Sequence, residues 1–237
     1  MLTVKDVFAG YGKLQILNGV TLTAKPSEVT VIVGPNGSGK STLLKTVAGL
    51  TTLYQGTIKH DEQDITGWPS HKIARSGIAF LPQTDNVFTN LTTAENLKLA
   101  GYRISKDDYG TRLKRIFGLF PQLSAYTNTK AFSLSGGERQ MLAMALALVR
   151  EPNVMMFDEP TANLAPRVAT QVLNLIASLA KDIGLTVILA EQNAKRALEI
   201  GNIAYLLVGG KNAFEGTARE LLEHRELGRL YLGVLAS

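Results

Sequence analysis

The chain has 237 residues, a formal net charge of +5, 45% hydrophobic and 19% charged residues, and no cysteine. This is the composition of an ordinary globular protein, long enough for one large domain or two small ones with a full core. Disulfides and thiolate metal sites are excluded, and the longest apolar run, Met141 to Val149, is too short to span a bilayer, so a membrane role has to come through a partner. The N-terminus enters a strand-like pattern at once, so no signal peptide is expected. The mild positive charge reads as solvated surface, and no basic stripe with interleaved aromatics points to nucleic acid.

Leu2 to Phe8 and Leu14 to Ala24 alternate apolar and polar residues, which predicts half-exposed antiparallel strands. Gly10-Tyr11-Gly12 separates them, and Asn18-Gly19 marks a turn or bulge. After the turn Pro26-Ser27-Glu28, Val29 to Val33 is a short β-branched run suited to a buried parallel strand. Gly34-Pro35-Asn36-Gly37-Ser38-Gly39-Lys40-Ser41-Thr42 follows and matches G-x-x-x-x-G-K-[ST]. A helical pattern from Ser41 to Leu50 completes strand, glycine loop and helix. The chemistry needs that order. The glycines let successive N–H groups face one anion, the helix end adds its positive pole, Lys40 reaches the β- and γ-phosphates, and the Ser41 hydroxyl ligates Mg²⁺. The Tyr11 ring, uncrowded between two glycines, either packs locally or stacks on adenine.

Gly56 to His60 reads as a short strand, Asp61 to Asp64 as a polar turn, and Pro69 to Arg75 as a short helix ended by Gly77. Ile78 to Leu81 is a compact strand, and Gln83 lies just past its carboxyl end, the edge where open α/β sheets bind ligands. From Leu91 to Arg150 helical spacing takes over, with a helix capped by Thr92 or Thr93 and running through Leu97 and Leu99, and further helices over Asp107 to Leu119 and Gly136 to Arg150. This reads as a helical subdomain, 91–150, inserted into an α/β core of 1–90 and 151–237. Ser135-Gly136-Gly137-Glu138 fits a capping box at the start of the third helix. Two glycines in the first turn cost helix stability, about 1 kcal/mol each. They also leave N–H groups open to an anion, so this helix end reads as a second phosphate site.

Val154 to Phe157 is a buried-type strand ending in Asp158-Glu159-Pro160. Two acids there suit phosphoryl transfer, with Asp158 holding Mg²⁺ directly or through water and Glu159 orienting or deprotonating the attacking water. Pro166 to Lys181 is an amphipathic helix stopped by Gly184. Leu185 to Ala190 is a further apolar strand followed by Glu191-Gln192-Asn193. Ile203 to Val208, Gly209-Gly210 and Lys211 to Glu215 form a hairpin pattern, and Thr217 caps a final helical region to about Leu232.

These residues together resemble the nucleotide-binding subunit of an ATP-binding cassette transporter, over essentially the whole chain. Gly34 to Thr42 resembles the Walker A motif, Val154 to Glu159 the Walker B motif with its catalytic glutamate, and Leu134 to Gln140 the family signature. The resemblance implies a single P-loop NTPase (RecA-like) α/β domain with an antiparallel β subdomain and an inserted helical one. It implies that Gln83 contacts Mg²⁺ and the attacking water, and that Tyr11 stacks on adenine. It implies a head-to-tail pair of cassettes around two ATP molecules, each bound between one chain's Walker A loop and the other's Ser135-Gly136-Gly137-Glu138. Ala162 to Ala165 would cross that interface, and the groove after Gln83, formed partly by Thr84 to Leu91, would receive a helix of a membrane subunit.

Glu159 to Pro166, Glu191-Gln192-Asn193 and the ending Tyr231-Leu232-Gly233 are similar to the shorter ATPase of branched-chain amino acid importers and to their urea and amide relatives. That likeness implies a second ATPase subunit (the same or a different chain), two membrane permease subunits, a soluble solute-binding protein, and a place on the cytoplasmic face of the membrane. Two positions depart from the family pattern. Gln192 stands where most members have a histidine that holds the γ-phosphate, so turnover would be slower or depend more on Glu159. Asn163 stands where the subgroup has glycine.

Overall fold

Over residues 1–84 and 86–227, which the computed structural model describes, the chain opens with β1 (Leu2–Tyr11), β2 (Leu14–Ala24), β3 (Val29–Val33), α1 (Lys40–Val47), β4 (Thr52–His60), β5 (Gln63–Asp64), α2 (Ser70–Arg75) and β6 (Ile78–Leu81). Helices alone follow: α3 (Thr93–Ala100), α4 (Lys106–Leu119), α5 (Pro121–Ala125) and α6 (Gly136–Leu148), with a 3₁₀ turn at Ala131–Ser133. The chain then returns through β7 (Val154–Asp158), α7 (Pro166–Ile183), β8 (Thr186–Ala190), α8 (Ala194–Ile200), β9 (Ile203–Val208), β10 (Lys211–Thr217) and α9 (Ala218–Glu223), with a short helical turn at Arg225–Leu227. The remainder of the expected final helix, and the ending Tyr231-Leu232-Gly233, lie outside the described residues.

Two sheets form. Antiparallel pairing gives one of four strands, ordered β2-β1-β4-β5, and the other has six, ordered β10-β9-β3-β8-β7-β6. Within the second, β9, β3, β8, β7 and β6 are parallel, and β10 closes the edge as the antiparallel arm of a hairpin. Every residue of β3, β7 and β8 is buried, as continuous apolar runs in a covered parallel sheet require. Their side chains alternate between two cores. Val31, Val33, Met155, Phe157, Val187 and Leu189 join the core under the helices, whereas Ile32, Val154, Met156, Ile188 and Ala190 face α1 and the antiparallel sheet. The central sheet is therefore a filled layer, and only its carboxyl edge is left for chemistry.

Local chemistry sets the element ends. Thr92, Ser135 and Thr217 each close a capping box with a glutamate three residues on. α7 buries Ala169, Val172, Leu173, Ile176, Leu179 and Ala180, one helical stripe, and stops at Gly184 with φ 73°. Gly209 and Gly210, at φ 56° and 76°, make the tight turn between β9 and β10. Gly19, at φ 82°, sits at a shift in the β1–β2 register and is a bulge inside a strand.

Several elements differ from the sequence reading, among them the short helix α5, which Pro121 starts directly after α4. Gln63–Asp64, read as part of a polar turn, is a two-residue edge strand on β4, because Lys59 and His60 extend the pairing past the bend. β4 itself begins at Thr52, since Gly56, at φ 100°, absorbs a register shift against β1 without breaking the strand. The short helix α8 has good helix formers and an Asn193 cap, but its seven residues are too few for periodicity to reveal.

Asn163 has φ 62°, which explains its departure from glycine. The position is left-handed, and asparagine is one of the few side-chain-bearing residues that enter that region at low cost. Asn163→Gly should leave the urea midpoint close to that of the parent, whereas Asn163→Val should cost about 1–2 kcal/mol. An unchanged midpoint for the valine variant would show that the loop relaxes to another conformation.

Candidate nucleotide and hydrolysis site

The loop from β3 to α1 is a cradle of backbone. Gly34, Gly37 and Gly39 have φ of 148°, 77° and 104°. A methyl group at Gly34 would collide with Leu207 O, and one at Gly39 would meet Leu17 at 2.8 Å. At Gly37 there is open space, so backbone conformation alone requires glycine there. The β9–β10 hairpin braces the loop, with Gly210 N–H donating to Ser38 O at 3.0 Å. A small open cavity of about 210 Å³ lies over the loop, lined by Asn36 to Thr42 together with Tyr11, Ile16 and Glu159.

Lys40 points into this cradle. Its Nζ donates to Gly34 O at 2.9 Å and Pro35 O at 3.2 Å. Burial lowers its pKa, and the nearby carboxylates of Glu159, Asp158 and Glu191 oppose that shift. Ser41 Oγ donates to Asp158 Oδ1 at 2.7 Å, across 117 residues of sequence. Burial raises the Asp158 pKa, against the Ser41 hydrogen bond and the charges of Lys45 and Lys40. The next residue, Glu159, is in the left-handed region at φ 48°, an unusual conformation for a glutamate. Its N–H donates to Ala190 O at 2.8 Å, and its Oε2 accepts from Gln83 Nε2 at 3.4 Å. The carboxyl ends of β3, β6, β7 and β8 thus bring Lys40, Ser41, Gln83, Asp158 and Glu159 into one place. Gln192 follows β8 with an exposed side chain that makes no hydrogen bond to another described residue and does not line the cavity.

Tyr11 ends β1 and is 44% exposed beside the loop. Tyr54, which the sequence reading passed over, steadies that turn, since its hydroxyl donates to Gly12 O at 2.9 Å. Glu191 was noticed in sequence only as a neighbour of Gln192. It is buried and accepts hydrogen bonds from Thr161. An acid directly after five buried strand residues was the available signal.

Ser135 to Glu138 do not line this cavity. The Ser135 hydroxyl accepts from Glu138 N–H at 3.3 Å, and Glu138 Oε2 accepts from Ser135 N–H at 2.7 Å. The two glycines also have a packing reason within the chain. A methyl group at Gly136 would stand 2.6 Å from Leu164 Cδ2, and one at Gly137 2.6 Å from Val168 Cγ1. The start of α6 therefore lies directly against the loop before α7 and the first turn of α7.

A second, larger concavity of about 710 Å³ runs between α1, α2 and β6 on one side and α3 and α6 on the other. Leu50, Phe80, Phe88, Leu99 and Leu146 line it, and Phe88 is 60% exposed. Among the described residues no helix is long and apolar enough to cross a membrane, and no three His, Cys, Asp or Glu side chains cluster as a self-sufficient metal cage.

Residues 17–162 match the sequence profile of the ABC transporter family. The chain is 51% identical over 235 residues to the probable branched-chain amino acid transport ATP-binding protein LivF of Archaeoglobus fulgidus, covering 99% of this chain and all of that one. It is 38% identical over 233 residues to the high-affinity branched-chain amino acid transport ATP-binding protein BraG of Pseudomonas aeruginosa, covering 98% of this chain and all of that one. Its fold superposes with a TM-score of 0.78 and 26% identity on MJ0796, a dimeric ATP-binding cassette in a post-hydrolysis state bound to ADP and phosphate, covering 92% of this chain and 99% of that one. A glycine cradle on β3, a hydroxyl–carboxylate pair joining it to β7 and this breadth of likeness lead to one conclusion: the chain belongs to the ABC transporter family and is an ATP-hydrolysing cassette of the P-loop NTPase fold.

Proposed function

We propose that this chain is the ATPase subunit of an importer for branched-chain or similar hydrophobic amino acids, acting at the cytoplasmic face of a membrane. The observation that carries the catalytic part is the joining of Ser41 to Asp158 at 2.7 Å and of Gln83 to Glu159 at 3.4 Å beside the phosphate cradle. The solute class rests on the likeness to LivF and BraG.

In this reading Tyr11 stacks on adenine, the backbone from Gly34 to Thr42 cradles the phosphates, and Lys40 pairs with the β- and γ-phosphate oxygens. The residues fit Mg²⁺, which needs only one or two carboxylates when phosphates and water complete its octahedron. Ser41, Asp158 and Gln83 would hold it, and it would neutralise charge developing on the phosphoryl oxygens. Glu159 takes the proton of the attacking water as its oxygen bonds to the γ-phosphorus. The bond from that phosphorus to the β-bridging oxygen breaks, and ADP and phosphate leave. Two cassettes pair head to tail, so that Ser135, Gly136, Gly137 and Glu138 of one close on the γ-phosphate held by the other. ATP closes this pair and hydrolysis opens it. The packing of α6 on Leu164 and Val168 supports a mechanical link between that helix end and the loop after Glu159.

Lys40→Ala should abolish ATP binding, and Glu159→Gln should bind ATP without turnover. The mass of Glu159→Gln in solution with ATP then reads the pairing. A shift from monomer to dimer fits a homodimer, and a nucleotide-bound monomer points to a different sister subunit. Normal turnover by Glu159→Gln would exclude the assigned role.

Glutamine at position 192, where most members of the family have a histidine, favours a second reading, in which this chain's own site turns over slowly and a sister site does more of the work. A neutral amide gives the γ-phosphate a weaker contact than a charged donor. On this reading Gln192→His raises kcat several-fold, and an unchanged kcat rejects it.

The groove lined by Phe88, Leu99 and Leu50 would receive the membrane subunit, because apolar side chains left exposed on a concave face mark an interaction surface. Phe88→Glu with Leu99→Glu should release the chain from the membrane fraction while ATP affinity stays within about twofold of the parent. Retention on the membrane would move the docking surface elsewhere. Asn86 and Phe88, from the segment Thr84 to Leu91, line this groove, and Asp85 lies outside the described residues.

A further inference from the structure

β8 delivers a carboxylate that the proposed chemistry does not use. Glu191 is 3% exposed. Its backbone N–H donates to Ile32 O at 3.1 Å, on the strand that enters the phosphate cradle. Its Oε1 accepts two hydrogen bonds from one residue, from Thr161 Oγ1 at 2.7 Å and from Thr161 N–H at 3.1 Å. Thr161 lies two residues after Glu159. The turn between them is held by Ala162 N–H donating to Glu159 O at 3.1 Å, and Leu164 N–H donates to Thr161 O at 3.2 Å. Leu164 is the side chain that covers Gly136. Glu191 therefore joins two parts of the site: its backbone holds it to the strand entering the cradle, and its carboxylate holds the turn after Glu159 and, through Thr161, the loop packed on α6.

Packing alone does not call for an ionisable group here. Burial, and then the charge of Glu159, push the Glu191 pKa up, while the two bonds from Thr161 oppose them. An apolar side chain of similar volume would avoid the desolvation but would leave the Thr161 N–H and hydroxyl without this acceptor. The left-handed backbone of Glu159, at φ 48°, persists only if its surroundings fix it, and Thr161 is the nearest residue downstream with a side-chain anchor.

We propose that Glu191 is a positioning residue for hydrolysis: by holding Thr161 it fixes the turn from Glu159 to Ala162 and so aims the Glu159 carboxylate at the γ-phosphate. The inference rests on the proposed role of Glu159. It predicts a far larger effect on the chemical step than on nucleotide binding, because the cradle of Gly34 to Thr42 makes no side-chain hydrogen bond to Glu191 and only the charge of Glu191 reaches Lys40.

The test compares Glu191→Ala, Glu191→Gln, Thr161→Val and the double variant Glu191→Ala/Thr161→Val with Glu159→Gln, all in the full chain. Glu191→Ala and Thr161→Val should each lower kcat at least tenfold with the KM for ATP within about twofold. The double variant should be no worse than the poorer single one, as for two partners of one interaction. Glu191→Gln should recover most of the loss, since its amide oxygen can accept the same two bonds. Amide exchange over residues 161–164 should rise at least tenfold in Glu191→Ala, with 36–42 unchanged.

Parent-like kcat in Thr161→Val, a rise in KM that matches the fall in kcat, additive losses, or no rescue by glutamine would each overturn the proposal. Should Glu191→Ala fail to fold, Thr161→Val and Glu191→Gln carry the same test. Full turnover by Glu159→Gln would remove the reading beneath it, whereas an inactive Glu159→Gln beside a normal Thr161→Val would defeat this inference alone.

Discussion

The lateral hydrogen bonding of three parallel strands sets the geometry on which everything else depends. β8 lies between β3 and β7, so the strand entering the phosphate cradle and the strand ending in Asp158-Glu159 are not neighbours. The pairing of Val29 to Ile32 with Val187 to Ala190, and of Val154 to Asp158 with Thr186 to Ala190, fixes the separation of the two ends. That separation lets the Ser41 hydroxyl reach Asp158 from the first turn of α1. Because side chains alternate between two cores, a slip of one residue in any of these strands would exchange buried faces and move its terminal acid out of place.

Charge is concentrated where burial makes it costly. Lys40, Asp158 and Glu191 are buried, and Glu159 stands beside them at the edge of the cavity. Burial lowers the Lys40 pKa and raises those of Asp158 and Glu191, and the opposite charges only partly offset it. Two lysines, Lys40 and Lys45, face three acids here, so the site is short of positive charge in the protein alone. Mg²⁺ arriving with a nucleotide would correct that shortage, which makes nucleotide binding a stabilising event for the fold as well as a step in turnover.

The helices between β6 and β7 share one apolar cluster with this core and are fastened to it at the rims as well. Arg112 and Arg115 of α4 pair with Glu151, just before β7, at 3.0 and 2.8 Å. The start of α6 rests on Leu164 and Val168. The apolar groove separates the two parts on the side of β6. Beside that groove, Leu142 and Met144 of α6 pack in the same apolar cluster as Met155 and Phe157 of β7, so the helices and the sheet cannot shift freely without disturbing shared packing. The Glu191–Thr161 bond lies on the core side of this boundary, on the same loop that supports α6.

Much of the chemistry was legible in sequence because it depends on local backbone constraints. The glycine loop, the capping boxes at Thr92, Ser135 and Thr217, the Gly209-Gly210 turn and the buried runs of β3, β7 and β8 are each specified within a few residues. Sequence alone determined that the chain carries a phosphate cradle, an acidic pair after a buried strand and a capped helix that starts with two glycines. The order of the strands was decided only by the tertiary structure, because lateral pairing joins segments far apart and leaves no periodic trace in any one of them. For the same reason the contacts of Ser41 with Asp158, Gln83 with Glu159 and Glu191 with Thr161 emerged only in three dimensions. Asn163 shows the same limit in a single residue: its identity is read from the chain, but the left-handed conformation that suits it comes from the loop between β7 and α7.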